Sequence, residues 1–281
     1  MSNGEHSLIL IGAGRVGINL LRHCLRIGLP VSLVVERDVS RHTVIRNCDP
    51  SLTLSTVIPD SLPGNARYCA LTVPDGAVAE VAHRLSLSTG TAGCIIFHCS
   101  GTLTSDVLAV PAAAGGIAGG IHPMQSFSSD DLPASMLTGI GCGIEGDEQF
   151  CREATKLAMM LQWRPLRIQA EHKALYHAAN VFAGNFPTVL ASIAERLLRA
   201  SASDASDASL AHLLPMMRAV MQRIDEVGVA QALTGPAVRG DHETVQHHLD
   251  ILDTIEPDFH RVYDILSDIA GGMARDRQPE V

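Results

Sequence analysis

The 281-residue chain lacks the features that mark several large functional classes. Its seven cysteines, Cys24, Cys48, Cys69, Cys94, Cys99, Cys142 and Cys151, contain no C-x-x-C pair and are odd in number. That argues for reduced thiols rather than a disulfide framework or a zinc site. No H-E-x-x-H occurs among the thirteen histidines, and the adjacent His247 and His248 point to different sides of a helix, so no metal site is expected. Basic excess is missing too. The formal net charge is −9, whereas a general nucleic-acid binder needs a basic face to neutralise phosphates. No polybasic tail is present to hold a membrane surface. The first apolar run, Leu8 to Ile11, is too short for a signal core, and no uninterrupted run reaches membrane-spanning length. By exclusion, the expectation is a cytoplasmic protein with no nucleic-acid or membrane partner.

The first half of the chain alternates short apolar runs with helical patterns. "SLILIGAG", "VSLVVE", "LTLS", "YCALTVP" and "CIIFHCSG" have the β-branched, continuously apolar look of strands covered on both faces. "RVGINLLRHCLRIG" predicts a helix ending at Gly28. Strands alternating with helices imply a doubly wound, mostly parallel α/β sheet of the Rossmann type. "GGIAGGIHPMQSF", "TGIGCGIEGD" and "WRPLRI" read as further strand ends, with a helix over "EQFCREATKLAMMLQ". After residue 168 no strand pattern remains. The expectation is a Rossmann domain over 1–168 and an all-α domain over 169–281, with a ligand cleft between them. Pro187 should kink or divide the first long helix of the second half.

"LILIGAGRVG" sets Gly12, Gly14 and Gly17 in G-x-G-x-x-G spacing, with Arg15 and Val16 between the last two glycines. The pattern alone is weak; here it follows a strand and opens a helix, which is the informative context. Gly12 permits the tight turn, Gly14 lets the backbone approach a pyrophosphate, and Gly17 lets the helix pack close to the strand. The helix N-terminus then offers free N–H groups and a positive dipole end. Glu36 ends the second strand nineteen residues after Gly17, where an acid binds ribose hydroxyls and disfavours a 2′-phosphate. Arg37 follows at once, and Arg41 and Arg46 are near; arginine here either stacks on adenine, pairs with a 2′-phosphate or lies on a solvated helix face. The signals conflict, with a lean to NAD, so the expected cofactor is written NAD(P).

In "EHKALYHAANVFAGN", Lys173, His177 and Asn180 fall at i, i+4 and i+7, one stripe of a helix. Reduction of a carbonyl needs a donor for charge developing on oxygen and a group that delivers a proton, and this stripe carries donors of those kinds. The bland alternative is a solvated helix face. Tyr176 and His172, on a neighbouring face, are given packing or surface roles. Val73 and Pro74 end the fourth strand, where they should border the nicotinamide-side ribose, and Asp75 reads as a helix cap. Ser100 and Gly101 end the next strand at the ligand edge of the sheet, with Ser100 a candidate substrate or nicotinamide contact and His98 a core histidine. His122 and Ser126 share the loop "IHPMQSF" as substrate candidates. In "LTGPAVRGD", Arg239 either clamps a carboxylate or pairs with Asp241 to fix the turn.

The glycine loop together with "LTVPD", "HCSG", "HPMQSF", "HKALYHAANVFAGNFP" and "ALTGPAVRGD" resembles the Rossmann-like plus DUF2520 proteins, a group labelled NADP- or F420-dependent oxidoreductases. More distantly the chain is similar to the 6-phosphogluconate dehydrogenase-like superfamily. The resemblance implies a nicotinamide-dependent reductase with a helical C-terminal domain that commonly forms a homodimer. In the β-hydroxyacid and ketopantoate branches, a lysine on the interdomain helix protonates the developing alkoxide, with an asparagine one turn later. Lys173 matches that lysine; position 177 is histidine, a departure, and Asn180 stands one turn further on. His122 followed by Pro123 resembles the His-Pro of prephenate dehydrogenases. The implied function is hydride transfer to a small oxo acid with Lys173 as general acid. The alternatives are a nucleotide-sensing protein without chemistry, or prephenate-like or imine chemistry. Apolar runs such as "HLLPMMRAVM" are more than one small helical domain covers, which agrees with a homodimer.

Overall fold

The computed structural model describes residues 6–275. The chain separates into two compact units, Met1–Asn185 and Phe186–Val281. In the first, β1 (Ser7–Ile11), α1 (Arg15–Arg26), β2 (Val31–Val35), α2 (His42–Arg46), β3 (Leu54–Ser55), β4 (Ala66–Leu71) and α3 (Asp75–Ser86) come in that order. They are followed by β5 (Ile95–His98), α4 (Ala109–Ala113), β6 (Ile117–Pro123), β7 (Gly141–Gly146), α5 (Glu148–Met160), β8 (Arg164–Arg167) and α6 (Lys173–Gly184). One sheet runs β3-β2-β1-β4-β5-β6-β7-β8. Every neighbouring pair is parallel except β6 with β7, where Gly120 faces Glu145 and His122 faces Gly143.

All five residues of β1 are buried, because helices cover both faces of the sheet. Side chains alternate across a strand, so Leu8 and Leu10 join Ile18 and Leu21 of α1 and Phe150 and Leu157 of α5. Ile9 and Ile11 face the other way, onto Val78, Ala82 and Leu85 of α3. Strand order reverses at β1, which lies between β2 and β4. In a doubly wound sheet that reversal opens a crevice at the carboxyl ends of the strands, where ligands bind.

The expected end of the sheet near residue 168 coincides with the end of β8, and no strand follows among the described residues. α6 packs with the first unit, so that unit runs on to Asn185. The helix divides at Asn185, and Pro187 sits in the first turn of α7 (Phe186–Ser201), where its missing N–H has no partner to lose.

The second unit continues with α8 (Leu214–Ala232), α9 (Pro236–Arg239), α10 (His242–Ile255) and α11 (Pro257–Arg275). α8 bends at Gly228, whose φ of 80° is left-handed. Asp241 caps α10 by accepting from the Thr244 N–H and hydroxyl. α10 and α11 pack together around Leu249, Leu252 and Phe259. Met216, Met221, Val229, Ile265 and Ile269 remain exposed on the single chain. No helix among the described residues is long and apolar enough to cross a membrane.

Candidate active site

The glycine loop follows β1 directly, and its three glycines do different things. Gly12 has φ of 92°, and a Cβ there would meet Val73 Cγ1 at 2.7 Å. A Cβ on Gly17 would overlap the Gly12 carbonyl oxygen and lie 2.6 Å from Thr72 Oγ1, so only glycine lets α1 approach β1 and β4 this closely. At Gly14 no atom lies within 4 Å of a Cβ position. The space is open where α1 begins, and a phosphate approaching the free N–H groups would occupy it.

Glu36 closes this loop. Its Oε2 accepts from the Ala13 N–H at 2.6 Å and its Oε1 from the Asp38 N–H at 2.9 Å. Arg41 is not a solvated helix residue. Its guanidinium grips Asp130 at 2.8 and 3.1 Å and the Ala13 carbonyl at 2.7 and 3.2 Å. The Arg41 pKa is held up, first by the Asp130 hydrogen bond. Arg46 is spent on the Pro50 and Leu52 carbonyls, whereas Arg37 is exposed. A cavity of about 540 Å³ opens among Gly12, Gly14, Glu36, Arg37, Val73 and Pro74. The segment after β6 is tied over the start of α1: the Asn19 amide donates to the Ser129 carbonyl at 2.7 Å and accepts from Leu132 N at 3.0 Å. Arg15 reaches the Ser128 carbonyl at 3.4 Å. Val16 is half-buried beside Cys99 and Pro123.

A second polar cluster stands at the ends of β4, β5 and β6. Ser100 donates to Asp75 at 2.8 Å and accepts from the Thr102 and Leu103 N–H groups. Asp75 therefore does more than begin a helix: the N-cap of α3 is Pro74, and the Asp75 carboxylate also accepts from Thr102 at 3.1 Å. Lys173 is 4% exposed, and its Nζ meets Glu145 Oε2 at 3.1 Å. Nζ also lies 2.8 Å from where a Gly120 Cβ would sit, with His98 Cε1 2.9 Å from the same point. Burial lowers the Lys173 pKa, and Glu145 and then Asp75 pull it back up. His98 Nδ1 accepts from the Ser100 N–H at 3.2 Å, so the neutral ring carries its proton on Nε2. That Nε2 is buried, and the backbone of Thr104 is the first of the groups that favour the charged form of the ring. Burial, then Lys173, pushes the His98 pKa down to about 4.

His122 and His177 meet over Gly101, and Tyr176 lies beside His122 against Gly143. His122 Nδ1 and the Tyr176 hydroxyl are 2.7 Å apart. His122 Nε2 and His177 Nδ1 both lie within 3.0 Å of the point a Gly101 Cβ would occupy. His177 Nδ1 is buried with no hydrogen-bond partner among the described residues. Burial, followed by His177 and Lys173, lowers the His122 pKa to about 4; burial raises that of Tyr176 to about 12. Both His98 and His122 are thus neutral near pH 7 and can donate at one nitrogen while accepting at the other.

The structure brings Lys173, His177, His122 and Ser100 together. Asn180 reaches the cluster through Tyr176: its amide donates to the Tyr176 carbonyl at 2.8 Å and its side chain also acts on the Tyr176 phenol. Ser126 is exposed on the loop after β6. Arg239 lies in the second unit, lining a surface pocket with His242 and Arg275. Sequence reasoning missed Glu145, Ser105, and the Tyr176 contact with His122. The Tyr176 signal was present, since residues i and i+3 share a helix face as i and i+4 do. Glycines were a second signal. A Cβ on Gly101, Gly120 or Gly143 would collide with His177, Lys173 or Tyr176, and glycine inside strand patterns marks such close approach.

A Rossmann-like domain model matches residues 2–123, and that of DUF2520, a domain of unknown function, matches 140–269. No curated protein matches the sequence. Among solved structures, the chain is similar to a Thermotoga maritima protein at 25% identity and TM-score 0.75, covering 97% of this chain and 100% of that one. A Bacteroides fragilis protein named as a candidate NADP oxidoreductase shares 22% identity at TM-score 0.74, with 96% and 100% coverage. A candidate oxidoreductase from Mycobacterium avium shares 15% identity at TM-score 0.66, with 95% and 98% coverage. The chain thus carries a Rossmann-like domain followed by a DUF2520 domain.

Proposed function

We propose that this protein is an NAD(P)-dependent oxidoreductase that reduces a small oxo acid of the ketopantoate or β-hydroxyacid kind, with Lys173 as general acid. The observation that carries the reading is the adjacency of two constructions on one sheet. A glycine loop with no room for side chains at Gly12 and Gly17 adjoins a buried lysine and two imidazoles at the next strand ends. The donor set fits a dinucleotide. Gly12 to Gly17 would take the pyrophosphate, Glu36 and Arg37 the adenosine end, and Val73, Pro74 and Ser100 the nicotinamide end. When bound, the nicotinamide supplies the hydride.

The chain supplies the proton and the orientation. Burial makes Lys173 a better acid than a surface lysine, because desolvation disfavours its charged form. His177 Nδ1 has an unspent hydrogen-bonding position, suited to the substrate oxygen. Tyr176 holds the ring of His122, and Asp75 holds the Ser100 hydroxyl. Purified protein tested on a panel of oxo acids and imines with NADH and NADPH should oxidise one nucleotide with at least one oxo acid. Nucleotide binding without turnover on any compound would favour a sensor instead, and turnover confined to imines would move the substrate class.

The protein is further proposed to be a homodimer through its helical unit, where Met216, Met221, Val229, Ile265 and Ile269 leave apolar surface exposed on the single chain. Light scattering should return twice the mass of one chain; a monomeric mass would refute the dimer.

A further inference from the structure

The sequence contains two lysines, Lys156 and Lys173. Lys156 is on the surface of α5, paired with Glu153 at 2.7 Å. Lys173 is buried, and an ammonium removed from water persists only with a partner. We infer that Glu145 is the positioning residue for Lys173: its carboxylate, gripped by both polar groups of Ser105, fixes the ammonium at the ends of β5 and β6 and keeps it protonated.

The geometry leaves the carboxylate little freedom. Oε1 accepts from the Ser105 hydroxyl at 2.7 Å, and Oε2 accepts from the Ser105 N–H at 2.8 Å and from Nζ at 3.1 Å. Glu145 is 3% exposed, so water does not compete for these oxygens. β-Sheet register sets the location, since Glu145 in β7 faces Gly120 in β6, and Nζ lies against the side of Gly120 where a Cβ would be. An ammonium has three donors. Among the described residues Nζ spends one, on Glu145, and the other two remain for a ligand.

The charged and titratable groups near Lys173 are Glu145 on β7, Asp75 on α3, His98 on β5, His122 on β6 and, on its own helix, His177. His98 and His122 are neutral near pH 7, and Glu145 outweighs Asp75 in favouring the ammonium. Removing the Glu145 charge therefore leaves burial almost unopposed and drives the proton off Lys173 at lower pH. The catalytic meaning rests on the reading of Lys173 as proton donor; the pairing does not.

The test uses full-length protein carrying 13C at lysine Cε, which gives two signals, with Lys173→Met assigning one of them. Titration in wild type should place Lys173 below the ordinary lysine range. Glu145→Gln should move it to lower pH with Lys156 unchanged, and Glu145→Asp, which keeps the charge, should stay nearer wild type. A Lys173 curve in Glu145→Gln that superimposes on wild type overturns the inference. If Glu145→Gln does not fold, Ser105→Ala takes its place, since it loosens Oε1 without removing the pair. A smaller downward shift then supports the inference, and no shift rejects it. Failure of every oxo acid in the substrate panel would leave this titration readable, so the two readings fail separately.

Discussion

Two carboxylates hold the edges of the two polar clusters. Glu36, at the end of β2, and Glu145, in β7, each accept from backbone N–H groups. Glu36 is half-buried, borders a cavity of about 540 Å³ and makes no ion pair among the described residues. Glu145 is buried and holds an ammonium. An ionised carboxylate offers about four acceptor sites. Among the described residues Glu36 accepts two hydrogen bonds, both from its own loop, whereas Glu145 accepts three. The same side chain is thus left with open acceptor positions beside a cavity at one place and is closed around a cation at the other, and exposure separates the two.

Breaking the buried pair at its cation should have the largest effect. Lys173→Met keeps length and helix propensity but removes charge and proton. It should lower kcat by about 10²–10⁴-fold while leaving nucleotide affinity nearly unchanged, the usual contribution of a positioned acid. Steady-state kinetics with an oxo acid found in the panel, beside a nucleotide titration, checks this; near wild-type turnover would reduce the stripe to a helix face.

Acid should act next, through His98 and His122. Both titrate near 4 in the folded chain, against about 6.5 when unfolded. Between those values the unfolded chain binds more protons, so stability falls as pH drops from about 6.5 towards 4. The loss should be on the order of 2 kcal/mol for His98 and less for the half-buried His122. Thermal melts across this range measure it, and His98→Asn should flatten the dependence; a melt insensitive to pH over the window would contradict it.

At the exposed carboxylate the effect should be smaller. Glu36→Ala should weaken NADH binding by about tenfold, the scale of one charge-assisted hydrogen bond, and weaken NADPH binding less. Equal losses for both nucleotides would show that Glu36 only shapes the loop. Smallest of all, His177→Asn keeps a hydrogen-bonding side chain and should change kcat by only a few-fold, roughly within 1 kcal/mol.

The two carboxylates also differ in how far the sequence announces them. Glu36 stands at a set distance from a glycine loop, within one strand-helix-strand unit, so local spacing finds it. Lys173 and His177 follow from helical periodicity, and Ser100 and His122 from their position at strand ends. Glu145 becomes visible only when β7 turns antiparallel to β6 and brings it opposite Gly120. No local pattern in "GIEGD" specifies that register. Asn180 follows from the same periodicity as Lys173 and His177, and its amide donates to the Tyr176 carbonyl one turn before it. Arg41 looks like a surface arginine until Asp130, far along the chain, closes on it.

The most direct test of the account is fluorescence titration of NADH and NADPH into wild type and Gly14→Val. No atom lies within 4 Å of a Gly14 Cβ, so valine should leave the fold intact while filling the space a pyrophosphate needs. The account predicts that wild type binds at least one of the two nucleotides and that Gly14→Val, still folded, does not. Failure of wild type to bind either nucleotide, or a preference for F420 over both, would contradict it.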